Sequence, residues 1–225
     1  MKPVLVFDVN ETLLDVGALK SPFERIFGTS DVLREWFSAV VLYAQTVSII
    51  DEYQGFSDLA KNALHMVASA KNVRLSDTDE REVLEGMLSL PAHTEVAGAL
   101  KSLSVAGFRL AALTNSTNTA AVAQLKNSGL LHFFERVLSV DAVRRFKPAP
   151  ETYAYASSEL KTLPAEMIMI ASHPWDIRGA IHAGLHGAFL NRAGTSWFGR
   201  EATPEFTAQD LGQLAEALIT AYGTK

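Results

Sequence analysis

Five short runs, Val4–Phe7, Phe108–Leu113, Arg136–Val140, Met167–Ala171 and Gly187–Leu190, are apolar at nearly every position. A strand covered on both faces reads this way, whereas a half-exposed strand alternates. Between the later runs the spacing turns helical. Thr94–Ala106 sets Val96, Leu100 and Leu103 on one side and stops at Gly107. Asn118–Ser128 stops at Gly129, Glu151–Leu160 follows, and Asp176–Ala183 stops at Gly184. A glycine just past the last turn tolerates the left-handed conformation that ends a helix. Buried strands alternating with helices predict an α/β fold built on a doubly wound parallel sheet. Asp210–Tyr222 reads as a closing amphipathic helix.

The stretch between the first and second runs shows no strand-like alternation. Phe23–Phe27, Val32–Ile50, Phe56–Ala70 and Asp79–Leu88 all carry helical spacing, and Ser76, Asp77 and Thr78 supply cap chemistry before the last of them. The pattern predicts an all-helical cap over residues 16–94, inserted after strand one, with residues 1–15 and 95–225 forming the α/β core. Leu90-Pro91 marks the return to that core.

Composition narrows the functions open to this fold. The chain has 225 residues, 48% of them apolar, enough to build a core and to exclude disorder. Its 20 Lys and Arg against 25 Asp and Glu give a charge of −5, with no basic footprint for nucleic acid or an anionic membrane. Cysteine is absent, so disulfides, thiolate metal sites and Cys nucleophiles drop out. No run approaches the ~18–20 apolar residues that span a bilayer. The apolar stretch that Asp8 stops is too short for a signal sequence. The expectation is a cytoplasmic protein with a small-molecule substrate and neither nucleic acid nor membrane as partner.

In an open parallel sheet, ligands bind beyond the carboxyl ends of the strands. Strand one delivers Asp8-Val9-Asn10-Glu11-Thr12 there, strand two Thr114-Asn115-Ser116, strand three Asp141 and then Lys147-Pro148, and strand four Ser172-His173-Pro174-Trp175-Asp176. No glycine stands between Asp8 and Thr12, so neither a dinucleotide fingerprint nor a P-loop is present. A carboxylate at the tip of strand one points instead to covalent catalysis by Asp8. Such a carboxylate needs a nearby cation, and Lys147 is the natural candidate. His65, His93, His132, His182 and His186 show no paired ligand spacing and read as surface or packing residues.

Phe7-Asp8-Val9-Asn10-Glu11-Thr12-Leu13, Leu113-Thr114-Asn115, Lys147-Pro148 and Ala171-Ser172-His173-Pro174-Trp175-Asp176 stand in the order and spacing of four motifs. In them the chain resembles the haloacid dehalogenase superfamily. Ser139-Val140-Asp141 leading into Lys147-Pro148-Ala149-Pro150 and Tyr153, with Trp175-Asp176, is similar to its type II L-2-haloacid dehalogenase branch. The resemblance implies that Asp8 attacks a halogen-bearing carbon and that water then hydrolyses the aspartyl ester. It implies that Lys147 holds and polarises Asp8, that Asp176 helps activate the water, and that Thr12 hydrogen-bonds the reacting carboxylate. Asn10, Thr114, Asn115, Phe37, Tyr153, His173 and Trp175 become the substrate-binding candidates, with Tyr153 also ordering Lys147 and Asp176. Trp36, Phe37, Tyr43 and Phe56 either form an apolar wall for the substrate or simply pack the cap. Such enzymes need no metal and no cofactor. Relatives often pair through cap helices, and the apolar Val40–Ile50 stretch suits a homodimer.

Phosphatases of this superfamily place a second Asp two positions after the nucleophile and an acid at the start of motif four. Here those positions hold Asn10 and Ser172. Asn10 cannot transfer a proton at neutral pH, and losing both acids weakens a Mg²⁺ site that wants hard oxygen ligands. Halide leaves without protonation, so displacement at an alkyl halide suits the residues better. The alternatives are a Mg²⁺-dependent phosphatase, with Asp8, the Asn10 backbone and Asp176 on the metal, and a catalytically retired binding protein. Three departures bear on the substrate. Asn10-Glu11 replaces a Tyr-Gly pair, Phe37 follows Trp36 where the branch carries Arg, and Ala171 and His173 replace Ser and Asn. With Arg34 as the nearest substitute cation, the expectation is slow action on short 2-haloacids or a less anionic substrate.

Overall fold

The computed structural model describes residues 2–194 and 196–223; residues 1, 195, 224 and 225, which the expected core includes, lie outside the described residues. The chain begins with β1 (Val4–Phe7), then runs through α1 (Lys20–Phe27), α2 (Val32–Ile49), α3 (Phe56–Ala70), α4 (Asp77–Gly86) and α5 (Val96–Val105). The alternating part follows as β2 (Leu110–Thr114), α6 (Asn118–Asn127), β3 (Arg136–Ser139), α7 (Pro150–Leu160), β4 (Met167–Ala171), α8 (Pro174–His182) and β5 (His186–Leu190). It closes with β6 (Phe206–Ala208) and α9 (Leu211–Tyr222).

The six strands form one parallel sheet in the order β3-β2-β1-β4-β5-β6. Five were expected. The sixth is a three-residue edge strand whose residues keep solvent contact, too short to show a period. The continuous apolar runs are explained by cover on both faces. Leu5 and Phe7 of β1 point into one apolar cluster with Ile168 and Ile170, while Val4 and Val6 point into another with Met167 and Met169. That is the two-residue period of a strand with both sides buried. Strand order reverses between β1 and β4, the crevice where ligands bind such sheets.

Between β1 and α5 stand the four helices α1–α4, as the spacing predicted. They hold together on their own side chains. Trp36 of α2 is fully buried and its Nε1 donates to the Ala60 carbonyl of α3 at 2.9 Å. Ser76 and Asp79 close a capping box on α4, and Asp79 also accepts from Arg25 of α1 at 2.7 Å. The outgoing and returning segments pair: Asp15 N–H donates to Pro91 O at 2.8 Å and His93 N–H to Leu13 O at 3.0 Å. The helices also tie to the strand-end loops. Phe146 N–H donates to Ser48 Oγ at 2.7 Å, Tyr53 stacks on Phe146 at 4.9 Å, and the Tyr53 hydroxyl donates to Asp141. Among the described residues, no helix is long and apolar enough to cross a membrane.

Candidate active site

Asp8 follows directly after β1, and its backbone N–H is held by the Ile170 carbonyl of β4 at 3.0 Å. Its Oδ1 accepts from Lys147 Nζ at 2.8 Å, and its Oδ2 from the Thr12 hydroxyl at 2.7 Å. Thr12 is locked in turn, because Ser172 N–H donates to its Oγ1 at 3.0 Å. Lys147, fully buried, also donates to Asp176 Oδ2 at 2.6 Å and to the Leu113 carbonyl at 2.9 Å. One ammonium thus joins the ends of β1, β2 and β4. Asn115 fixes the lysine's backbone, its Oδ1 accepting from Lys147 N–H at 3.0 Å.

Asp176 sits in the first turn of α8, where the helix N-terminus favours an anion. Its second oxygen accepts from the Tyr153 hydroxyl at 2.7 Å. That approach needs Gly179, since a Cβ there would stand 2.7 Å from Tyr153 Oη and 2.9 Å from the Pro148 carbonyl oxygen. Lys147 occupies one oxygen and Tyr153 the other, and the group has no solvent exposure. These contacts make Asp176 an anchor for Lys147.

His173 takes the open side of Asp8. Its Nε2 meets Glu11 Oε2 at 2.6 Å, and its Nδ1 faces Asp8 Oδ2 at 3.6 Å, beyond hydrogen-bond length and with no other partner. Glu11 reaches it from a left-handed backbone conformation (φ 62°), which bends motif one back on itself. Arg192 braces the same turn, donating to the Thr12 carbonyl at 3.1 and 2.9 Å while paired with Glu95 at 2.6 Å.

The electrostatics follow from these contacts. Burial works against the Asp8 carboxylate, but the Lys147 charge, with help from His173, holds its pKa well below the usual 3.8. Burial likewise opposes the Lys147 ammonium, and Asp176 and Asp8 together raise its pKa. Asp176 is pushed up by its burial, with Lys147 opposing. Burial also works against the His173 imidazolium. The carboxylates of Asp8 and Glu11 outweigh it and bring the pKa to about 9.

Of the expected site residues, Asp8, Thr12, Lys147, Asp176, Tyr153, Asn115 and His173 form one contact network. Thr114 and Tyr153, expected to touch substrate, are fully buried behind it: Thr114 Oγ1 accepts from Ser116 N–H at 3.1 Å, and Tyr153 is spent on Asp176. Asn10 is engaged at both ends, with Nδ2 donating to Ser116 Oγ at 3.2 Å and Oδ1 accepting from Gln124 Nε2 at 3.0 Å. These bonds fix it as a wall of the site. Phe37, 7% exposed, lies over His173 with ring centroids 6.3 Å apart, and Trp175 stacks on the same imidazole at 5.1 Å. Arg34 is exposed on α2 and does not supply the substitute cation; the positive groups at Asp8 are Lys147 and His173. Gln124 and Arg192 were not singled out from sequence, and Glu11 was noted only as a departure from the branch's motif one. Among the described residues, no three His, Asp or Glu side chains are grouped to hold a metal.

Residues 3–184 match the haloacid dehalogenase-like hydrolase family. A curated relative, (S)-2-haloacid dehalogenase 2 of Pseudomonas sp. (strain CBS-3), is 28% identical, covering 95% of this chain and 94% of its own. A solved L-2-haloacid dehalogenase superposes with a TM-score of 0.93 at 27% identity, over 96% of this chain and 98% of the other. The L-2-haloacid dehalogenase of Xanthobacter autotrophicus, solved with chloropropionic acid covalently bound, shares the fold at a TM-score of 0.87 and 22% identity, with both chains fully covered.

Proposed function

The chain belongs to the haloacid dehalogenase-like hydrolases, and from that premise we propose that it displaces halide from a small 2-halo acid through a covalent ester at Asp8. In this reading Oδ2 of Asp8 attacks the halogen-bearing carbon. A carbon–oxygen bond forms and halide leaves with the bonding pair. Lys147 stays on Oδ1, which becomes the ester carbonyl, and polarises it. With Asp8 now a neutral ester, His173 releases its Nδ1 proton to solvent; water then attacks the Asp8 carbonyl carbon, giving up a proton to that nitrogen while Glu11 balances the imidazolium. The oxyanion on Oδ1 is met by the Lys147 ammonium. Collapse breaks the bond from Cγ to Oδ2, His173 returns the proton to the departing oxygen, and the proton left on the new Asp8 carboxyl passes to His173, restoring the resting pair. The product is a hydroxy acid, and water oxygen is left in Asp8. The observation that carries this reading is the unpartnered Nδ1 of His173 beside Asp8 Oδ2, on a ring fixed by Glu11.

The Mg²⁺-dependent alternative fits the residues poorly. The space between Asp8 and Asp176, where such a cation would sit, is spanned by the Lys147 ammonium, and Ser172 donates its hydroxyl to the Glu11 carbonyl. We read the enzyme as independent of metal and cofactor, with residues 16–94 acting as a cap over the core of residues 1–15 and 95–225. We further read α2, which exposes Leu42 and Ile49, as a face for pairing two copies.

The test is a single turnover of 2-bromopropionate in ¹⁸O-water, followed by mass spectrometry of the peptide carrying Asp8. One ¹⁸O in Asp8 is expected. In His173→Asn, halide should be released once per protein and the peptide should carry the acyl adduct. Unlabelled Asp8 in the wild type after halide release, or phosphate release that needs Mg²⁺, overturns the proposal.

A further inference from the structure

Motif one ends in a turn that carries two arms of the site. Glu11 holds a left-handed backbone conformation (φ 62°) and sends its carboxylate to His173. Thr12, the next residue, sends its hydroxyl to Asp8 Oδ2 at 2.7 Å. A residue other than glycine keeps that conformation only where its surroundings over-determine it. Within the turn, Glu11 N–H donates to Leu14 O at 2.8 Å, and Leu13 and Leu14 N–H donate to Val9 O at 2.9 and 3.0 Å. Ser172 closes one outer side, its hydroxyl donating to the Glu11 carbonyl at 3.1 Å and its N–H to Thr12 Oγ1 at 3.0 Å.

The other outer side is closed from far along the chain. Arg192 stands two residues past β5, at the same edge of the sheet as Asp8. Its side chain is partly buried, and its Nε and Nη2 converge on the Thr12 carbonyl at 3.1 and 2.9 Å. Nη2 also meets Glu95 Oε1 at 2.6 Å. Glu95 lies just before α5, where the chain returns from the helices, and the same oxygen accepts from Leu211 N–H of α9 at 3.4 Å. The fork is therefore itself anchored, on a carboxylate between two core helices. A guanidinium keeps its charge and its planar donor geometry, which a lysine's single nitrogen cannot reproduce. Among the described residues, Arg192 makes no hydrogen bond to Asp8 or His173, so its influence runs through the turn.

We propose that Arg192 is a positioning residue of this site: by holding the Thr12 carbonyl, it keeps the turn from which Thr12 aims Asp8 Oδ2 and Glu11 fixes His173. Without the fork the turn relaxes, and both arms shift together. The inference rests on the dehalogenase reading for the roles of Asp8 and His173, and adds to it a residue outside the four motifs.

The experiment compares wild type, Arg192→Met and Arg192→Lys in two readouts. One is kcat and KM for halide release from 2-bromopropionate; the other is the His173 imidazole titration followed by NMR. In Arg192→Met, kcat should fall about tenfold or more, the loss that a misplaced reacting group brings. KM should stay within about twofold, because the interaction matters in the transition state. The His173 midpoint should drop at least about one pH unit below its value of about 9, as the Glu11 carboxylate moves away. Arg192→Lys keeps the charge without the fork and should lie between the two in both readouts. A purely structural role would lower the urea midpoint and leave kcat and the His173 titration of the folded protein at wild-type values. That result overturns the proposal, as does a variant in which only one of the two readouts moves. If Arg192→Met does not fold, Arg192→Lys is judged alone: a lower kcat with a lower His173 midpoint supports the proposal, and wild-type values overturn it. If wild type releases no halide, the dehalogenase reading fails and the titration judges Arg192 separately. A lowered midpoint in Arg192→Met then supports its hold on the turn, and an unmoved one overturns it.

Discussion

Replacing Asp8 by Asn should expose how His173 behaves once the ester has formed, because the amide is neutral and nearly the size of the carboxylate. In the resting protein His173 titrates at about 9, its burial outweighed by the carboxylates of Asp8 and Glu11. Its Nδ1 lies 3.6 Å from Asp8 Oδ2. Two unit charges at that distance, in an effective dielectric of ~20, attract by about 4–5 kcal/mol. That is worth about three pH units. Esterification removes the Asp8 charge, so His173 should fall from about 9 toward about 6 and become able to take a proton from water. The measurement is the imidazole Cε1 proton shift against pH in wild type and Asp8→Asn, the His173 signal being assigned by its loss in His173→Asn. Stability should follow the same group. A His raised above its unfolded value of 6.5 contributes fully below that pH and loses its contribution as pH rises through about 9. Wild type should therefore lose about 3 kcal/mol over this window in urea melts. His173→Asn should lack the slope, and Asp8→Asn should show a smaller one. An ordinary histidine pKa in wild type, or the same pKa in both proteins, refutes the reasoning.

Two further outcomes are expected. Lys147→Met leaves Asp8 and Asp176 facing each other without their shared cation, and urea melts at pH 7 should show a loss of about 3–5 kcal/mol. The deficit should narrow below 3.8, the ordinary aspartate value, because the depressed Asp8 stabilises wild type above that pH and ceases to as it protonates; a loss under about 1 kcal/mol contradicts the buried triad. Phe37→Arg places a guanidinium over His173 and should raise kcat/KM for 2-chloropropionate at least about tenfold, as one charge-assisted hydrogen bond is worth ~1.5–3 kcal/mol. A wild type that is already fast and selective for the carboxylate contradicts it.

The legible parts of this sequence are those in which one short segment carries its own signal. β1, β2 and β4 read as strands because every residue in them is buried. Asp8, Lys147 and Asp176 read as a group because each stands just past a strand and parallel strands end together. The rest depends on contacts that no local pattern encodes. Glu11 meets His173, 162 positions later, only because its backbone turns left-handed. Gln124 reaches Asn10 across 114 positions from the interior of a helix whose spacing marks it as ordinary packing. Arg192 lies past β5, where nothing in the motif pattern looks for it. Arg34 fails as a substitute for the expected cap cation because three positions along a helix reach a neighbouring face, and at α2 that face is solvent.

The two halves of the proposed reaction use opposite sides of one carboxylate. Lys147 sits on Oδ1 and is tied to Asp176 and Leu113 O, so it is rigid and dry. A buried lysine held by two carboxylates keeps its proton throughout, which suits polarising a carbonyl and disqualifies it as a base. Asp176 holds that lysine in place. In the proposed reaction proton transfer comes from the Oδ2 side, where His173 Nδ1 has no partner among the described residues. Glu11 makes that workable. Without it, a histidine beside a neutral ester would lose the second charge that steadies its imidazolium, and its ring would be free to turn. In the proposed reaction the replacements at positions 10, 11 and 173 thus belong together: Glu11 and His173 serve the hydrolytic step, and Asn10, one residue earlier on the same turn, ties Ser116 to Gln124.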